Sequence, residues 1–408
     1  MKWREATLGE LTELDGGLIQ TGPFGSQLHQ SDYQPEGIPV IMPKDIANGR
    51  VLEESVARIA EETANRLERH KVKQRSIVLP RRGEVTKRAY IRAEQEGWIC
   101  GTGCLKIEAN GKKLVPEYLY YFMEQDHVVQ WLEQHAVGTT MLNLSAGIVA
   151  DLPIRYPSVE VQNEIATTLT TYDDLIENNR RRMVLLEEAA RQLYQEWFVR
   201  LKFPGHEHTR IIDGVPEGWE KKCIYDFGNV ITGKTPSTKE SDNYDGEISF
   251  IKTPDMHGNV YVTKTESRLT EKGAETQRGK YIPPNSLLVS CIGTIGVVAL
   301  SSESSQFNQQ INTVIPSEDY FRCYCFFAFK DLKQKMEAIG GGATMGNVNK
   351  SKFESLKVMR PNTRLLREFE ATCAPMFRQI LTLSYQNDKL KVARNLLLPR
   401  LMNGEINV

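Results

Sequence analysis

The 408-residue chain has no run approaching the roughly 20 apolar residues that a membrane-spanning helix needs. Its opening stretch, "MKWREATLGEL", is too polar for a secretory signal, so the chain is expected to work in the cytoplasm. Cysteines are few, at seven, and fit no pairing pattern. Cys100 and Cys104 have three residues between them and Cys323 and Cys325 one. Neither is the two-residue gap of a zinc knuckle, so the cysteines read as reduced packing residues and no metal is expected. His206 and His208 have metal-like spacing but no partner cluster, and read as surface residues. Net charge is almost absent: 51 Lys and Arg face 52 Asp and Glu, which by itself points to no partner. Catalytic signatures are missing as well. No [DNS]-P-P-[YFW] motif of amino-methyltransferases occurs; "IPPN" at 282–285 lacks both the acid or amide and the aromatic. No Gly-rich cofactor loop follows a strand pattern, so no enzymatic activity and no cofactor are expected in this chain.

One stretch argues the other way. "GNVITGKT", residues 228–235, matches the phosphate-cradling pattern G-x-x-x-x-G-K-[ST]. A working loop of that kind follows a buried apolar strand and opens a helix whose N–H groups meet the phosphates. Here the approach, "WEKKCIYDF", is half polar, and the exit, "PSTKESDNYDG", has no apolar stripe.

An internal repeat tests the match. "TTMLNLSAGIVADLPIRYP" (139–157) resembles "ATMGNVNKSKFESLKVMRP" (343–361): Thr140, Met141, Asn143, Leu152 and Pro157 recur 204 positions later as Thr344, Met345, Asn347, Leu356 and Pro361. Upstream, "GIPVIMPKDIANGRV" aligns with "EISFIKTPDMHGNVY", "SIVLPRRG" with "SLLVSCIG", and "WREATLGEL" with "WEKKCIYDF". A period of half the chain means two like domains. The counterpart of "GNVITGKT" is "GLIQTGPF" (17–24), which keeps both glycines but has Pro23 and Phe24 in place of the lysine and threonine. What the halves share is a Gly-containing turn, and the phosphate pattern is a coincidence.

Charge is uneven along the chain. From Arg66 to Arg92 ten cations face only Glu68 and Glu84, which suits a polyanion partner. Arg81, Arg82, Lys87 and Arg88 surround Gly83 just after the apolar run "SIVL", so they belong to one loop at a strand end. Arginine there suits bidentate guanine readout or phosphate clamping alike. In the second half the aligned "SCIGTIG" is uncharged, but "NQQIN" supplies Gln309, Gln310 and Asn312, whose amides can pair with adenine edges; Lys234 and Lys252 supply charge, as Lys44 does in the first half. Thr140 with Asn143, and Thr344 with Asn347, suit either a shared contact to the DNA backbone or a shared structural turn.

After Pro157 the pattern becomes helical. Ile165, Leu169, Tyr172, Ile176, Asn179, Met183, Leu186, Ala190, Leu193 and Trp197 step alternately by four and three, a coiled-coil seam with one polar member, Asn179, placed to fix register. The second copy is poorer: Phe369, Cys373, Met376, Ile380, Leu383, Asn387, Leu390, Arg394 and Leu397, with Pro375 expected to kink or start the helix. Two matched rods most simply pair with each other. The reading is therefore of mixed α/β (α+β) domains at 1–155 and 219–360, long helices at 156–200 and 361–408, and a linker at 201–218.

The arrangement resembles the specificity subunit of a type I DNA restriction–modification system over nearly the whole chain. The carriers are "TGPFGSQLHQSDYQPEGIPVI", "RRGEVTKRAYI", "GTTMLNLSAGIVADLPI", "IENNRRRMVLLEEAARQLYQEWFV", and in the second half "ITGKTPST", "FIKTPDM" and "NQQIN". The resemblance implies two target-recognition domains, each reading half of a split, asymmetric double-stranded DNA site. It also implies an antiparallel coiled coil that docks two methyltransferase subunits and, through them, restriction subunits. S-adenosylmethionine would then lie in the methyltransferase partners. The rival readings are a nucleic-acid-binding scaffold outside such systems and a P-loop nucleotide hydrolase. The isolated chain is expected to transfer no methyl group, which an assay with labelled methyl donor and DNA tests directly; measurable transfer would refute the reading.

Overall fold

The computed structural model describes residues 3–53, 56–138, 142–341 and 346–406. The chain divides into two compact units, Met1–Asp174 with Lys391–Val408, and Leu175–Leu390. No helix among the described residues is long and apolar enough to cross a membrane.

The two units share one central plan. In the first, Arg4–Thr7 pairs antiparallel with Pro153–Tyr156, Arg4 facing Tyr156. In the second, Glu220–Cys223 pairs antiparallel with Lys357–Arg360, Glu220 facing Arg360. The main sheet of the first unit runs Leu18–Thr21, Cys104–Glu108, Ile77–Pro80, Ala89–Tyr90. The second repeats that order with Gly228–Thr232, Ile311–Pro316, Leu287–Ser290, Val298–Ser301, and adds Tyr261–Val262 at the edge. A smaller sheet in each contains a parallel pair, Val40 beside Ile99 and Phe250 beside Gln306. The runs that read as strands, "SIVLP", "CLKIEA" and "INTVIP", are strands because their β-branched and leucine side chains are buried on both faces. The stretch "PEYLYYFMEQDHVVQWLEQH" forms two helices, Pro116–Phe122 and Asp126–His135.

The long helices, Val159–Tyr194 with a π-turn to Val199 and Thr363–Met402, are not appendages to these units. Ile165, Ala166 and Leu169 lie in the same core as Leu8, Leu119 and Leu152, and Leu398, Leu401 and Met402 fill it from the other helix. In the second unit Ala190, Tyr194, Phe369, Cys373, Phe377 and Ile380 share a core with Phe227, Tyr324 and Phe353, with Met183, Leu186, Leu193 and Trp197 packed against it. Ile176 and Leu383 are also buried; Tyr172, Leu390 and Leu397 are half-buried. The seam residues are therefore buried or half-buried, and many of them enter the domain cores.

Within the second unit Asn179 faces Asn387 and Met183 faces Ser384, so the helices run antiparallel. Both asparagines are buried; Asn179 Nδ2 donates to Asn387 Oδ1 at 2.9 Å, and Asn387 Nδ2 donates to the Ile176 carbonyl at 3.2 Å. Of a start and a kink at Pro375, the start does not hold: the second helix continues through it from Thr363. Pro375 and Ala371 are both exposed, so the carbonyl deprived of its i+4 donor is open to water. Arg394 does not degrade the seam either: in the first unit its guanidinium meets Asp173 at 2.5 Å. The linker is folded rather than loose. Ile211–Ile212 pairs with Val215–Pro216, and Phe203 and Trp219 are buried with Leu365. All seven cysteines are free, and six are buried.

Asn387→Leu should leave Asn179 buried without its partner and cost about 1–3 kcal/mol. Leucine at both positions should restore most of that loss, and denaturant unfolding of the two variants measures both effects.

Candidate nucleic-acid interface

Three chain segments converge at the same place in each unit, held by the same backbone hydrogen bonds. In the first, the loop leaving Ile77–Pro80 turns at Gly83 (φ +79°), and in the second the loop leaving Leu287–Ser290 turns at Gly293 (φ +74°). Arg81 N donates to the Gly103 carbonyl at 2.6 Å, as Cys291 N does to Gln310 at 2.7 Å. Leu144 N donates to Arg81 at 2.8 Å, as Val348 N does to Cys291 at 2.9 Å. Gly83 N donates to Leu142 and Gly293 N to Gly346, both within 3.2 Å. The third segment enters through the glycines of the two aligned turns. A Cβ on Gly22 would lie 2.1 Å from the Gly101 carbonyl oxygen, and one on Gly233 2.0 Å from that of Asn308. Gly17 and Gly228 meet carbonyl oxygens at 2.0 and 2.1 Å in the same way. The glycines of "GNVITGKT" are there for strand approach. Residues 228–232 are a strand, no helix follows, and Lys234 N donates to the Phe307 carbonyl at 3.1 Å. The phosphate-loop geometry is absent from this stretch.

On this common backbone the side chains differ. In the first unit the Arg81 guanidinium lies over the ring of Phe24, 5.7 Å from its centroid. Phe24 is 56% exposed, a large aromatic held open to solvent at the mouth of the loop. Arg81 Nε is buried and has no hydrogen-bond partner among the described residues, so one donor of the fork is unspent. Arg82 is exposed, and so is Lys44, whose neighbour Pro43 lies against Gly103. Residues 101–103, "GTG", are small where the second unit has Asn308, Gln309 and Gln310. Gln309 is exposed and accepts a hydrogen bond from Thr235, the residue at the position of Phe24. Lys234 is exposed beside it, and Lys252 is half-buried at the start of the Thr253–Met256 turn. Gln310 is tied inward, its Oε1 accepting from Asn308 at 3.0 Å and Thr253 at 3.4 Å.

Several expected contact residues sit elsewhere. Asn312 is 2% exposed; Thr232 donates to its side chain at 2.6 Å and it donates to the Val348 carbonyl at 3.4 Å, so its amide belongs to the core. Arg88 turns inward to Glu124 at 3.3 Å, with 13% of its side chain exposed. Lys87 is paired with Glu84. Asn143 and Asn347 bridge the loop residues Arg82 and Ile292 through their backbones, which supports the structural-turn reading for both. Thr140 and Thr344 lie outside the described residues. The basic run as a whole is largely neutralised from within. Arg66, Lys71, Lys73, Arg75, Lys87 and Arg88 each pair with an acid, several of them far away in sequence. Arg81 and Arg82 make no ion pair among the described residues. Phe24 is the residue that sequence reading passed over, and the one signal for it was an aromatic at the position aligned with Thr235. Cys291, inside the second loop, is no nucleophile: burial pushes its thiol up to about 12, so it stays protonated. Among the described residues no cluster of His, Cys, Asp or Glu is arranged to hold a metal.

Comparison with known proteins agrees with this picture. The pattern of the type I restriction modification DNA specificity domain matches residues 1–188 and again 216–364, one copy for each half of the repeat. The type I restriction enzyme HindI specificity subunit of Haemophilus influenzae is 30% identical over 386 residues, covering 78% of this chain and 83% of its own. The MjaIX specificity subunit of Methanocaldococcus jannaschii is 25% identical over 418 residues, covering 100% and 94%. Among solved structures, a type I restriction–modification S subunit from M. genitalium shares the fold at 16% identity with a TM-score of 0.58, covering 98% of this chain and 96% of that one. The duplicated domains, the paired helices and both matched segments lead to one conclusion: the chain belongs to the specificity subunits of type I restriction–modification systems, and it supplies DNA sequence recognition rather than catalysis.

Proposed function

We propose that this subunit reads a bipartite, asymmetric DNA site, one half through each unit, from the cytoplasm. In this reading the paired helices dock two methyltransferase subunits, which hold S-adenosylmethionine and carry the restriction subunits. The observation that supports it is the constellation of three converging segments, present in each unit on matching backbone hydrogen bonds but with unlike side chains. Equal backbones present their loops to a groove in equal fashion, and unlike side chains select unlike bases, so a palindromic target is not what two such readers select.

The first half-site is read by Arg81 and Arg82, with Phe24 holding Arg81 by a cation–π contact and Lys44 adding phosphate contact. A guanidinium drawn to the face of an aromatic ring is held near the mouth of the loop, where its fork can meet a base edge or a phosphate. The second half-site is read by Gln309, with Lys234 as the nearby charge. A glutamine whose oxygen is steadied by Thr235 still offers two N–H donors and a second lone pair, the complement of an adenine edge. The grip is lopsided, since the first unit presents two unpaired arginines and the second presents mainly amides.

The direct test is methylome sequencing of cells with and without the chain. The expected result is a new, split, non-palindromic methylated motif that depends on it; no new motif, or a palindromic one, would overturn the proposal. Arg81→Ala with Arg82→Ala should weaken binding of the assembled complex by ~2–4 kcal/mol, at roughly 1–2 kcal/mol for each charged interaction. The same variant should flatten the slope of log affinity against log salt by about one unit for each phosphate it leaves unneutralised. Gln309→Ala should relax base preference in one half-site and leave that slope unchanged. Asn312→Ala should behave differently again, costing about 1–3 kcal/mol of folding stability with no change in the motif read, because its partners are inside the unit. Salt titrations on specific DNA, paired with thermal unfolding, separate the three behaviours.

A further inference from the structure

Behind the reading loop, the first unit holds a buried chain of charges that DNA contact does not use. Arg88 ends the loop that Arg81 begins. Its guanidinium meets Glu124 Oε1 at 3.3 Å and lies over the Tyr120 ring at 5.9 Å. The other oxygen of Glu124 meets Arg394, on the second long helix, at 3.7 Å. Arg394 in turn meets Asp173, on the first long helix, at 2.5 Å, and the Tyr121 hydroxyl donates to Asp173 at 2.7 Å. The side chains of Arg88, Glu124, Arg394 and Asp173 are each between 12 and 22% exposed. Two arginines and two carboxylates balance, and in so enclosed a place the removal of one leaves a neighbour without compensation.

The second unit lacks this connection. Tyr118 and Tyr324 donate to the equivalent carbonyls of Arg155 and Met359, which places Lys330 where the first unit has Glu124. Lys330 pairs with Glu187 of the first long helix at 2.5 Å, but the loop from Cys291 to Val297 carries no charge for it to hold. The loop of the second unit is anchored by backbone bonds, by Val297 N donating to Ser290 Oγ at 2.9 Å and by the buried side chains of Cys291 and Ile295, with no charged tie, whereas the last residue of the first loop is tied through Glu124 to Arg394 and so to the long helices.

We infer that Arg394 is a positioning residue for the first half-site: through Glu124 it anchors Arg88, and with it the loop that presents Arg81 and Arg82. This rests on the reading of that loop as a DNA contact. The test uses the reconstituted complex and Arg88→Met, Arg394→Met and the double variant. The measurement is methylation of sites carrying single base changes in each half, the first half being the one whose discrimination Arg81→Ala with Arg82→Ala removes. Each single variant is expected to lose about tenfold in discrimination at the first half-site and none at the second. The double variant should be no worse than the weaker single, because both break one chain of interactions. Arg394→Lys, which keeps the charge, should restore part of the loss. Equal losses at both half-sites would make Arg394 a merely structural residue, and singles that multiply to about 100-fold in the double would make the two residues independent; either overturns the inference. Should Arg394→Met fail to assemble, unchanged discrimination in Arg88→Met overturns it alone. If instead the Arg81 and Arg82 variant alters neither half-site, the DNA-contact reading of the loop is what fails.

Discussion

One buried hydrogen bond, from Asn179 to Asn387, decides how the two long helices meet. A seam of apolar knobs at heptad spacing tolerates a slip of seven residues with little change in buried area, since leucine replaces leucine. The asparagines do not tolerate it. A slip in either direction would set Asn179 against Ile380 or Arg394 and leave an amide in an apolar setting. In the observed register Asn387 also satisfies the Ile176 carbonyl, Met183 meets Ser384 and Arg394 reaches Asp173. The polar pair adds little stability itself, but the alternatives to it are expensive, and the cores on which the helices are shared inherit that choice.

The duplicated units show how side chains are varied on a fixed frame. Gly22 and Gly233 sit where backbones approach too closely for any side chain, and the loops turn at Gly83 and Gly293 in conformations that L side chains rarely adopt. Those positions constrain the fold. Between them, positions such as 24 and 235 or 102 and 309 serve neither strand approach nor turn, and they have diverged completely: phenylalanine to threonine, threonine to glutamine. Backbone hydrogen bonds carry the architecture, so side chains at the mouth are free to differ between the units.

Much of this is legible from the residues. The four-and-three spacing from Ile165 to Trp197 reveals the first helix, and the 204-residue recurrence reveals the duplication. The recurrence alone separates Gly228 and Gly233 from a nucleotide loop. What stays hidden in the sequence is pairing across long distances along the chain. Nothing near Arg88 announces Glu124, nothing near Arg75 announces Glu117, and Arg394 looks like a flaw in a seam until Asp173 stands beside it. The ten cations from Arg66 to Arg92 read as a basic patch for the same reason: Arg66, Lys73, Arg75 and Arg88 are matched by acids that only folding brings close. Asn312 reads as a surface amide because "NQQIN" straddles the point where a turn becomes a strand, and a side chain one position further on faces inward.

The first unit closes its core with Leu398, Leu401 and Met402, more than two hundred residues after its last strand. A stop codon that removed only residues 391–408 would leave Phe24, Arg81 and Arg82 in the product. The unit that contains those residues would nevertheless be the one to lose its packing, while the unit from Leu175 to Leu390 would keep every residue of its own core. Loss of this segment would therefore fall on the unit whose strands lie farthest from it along the chain.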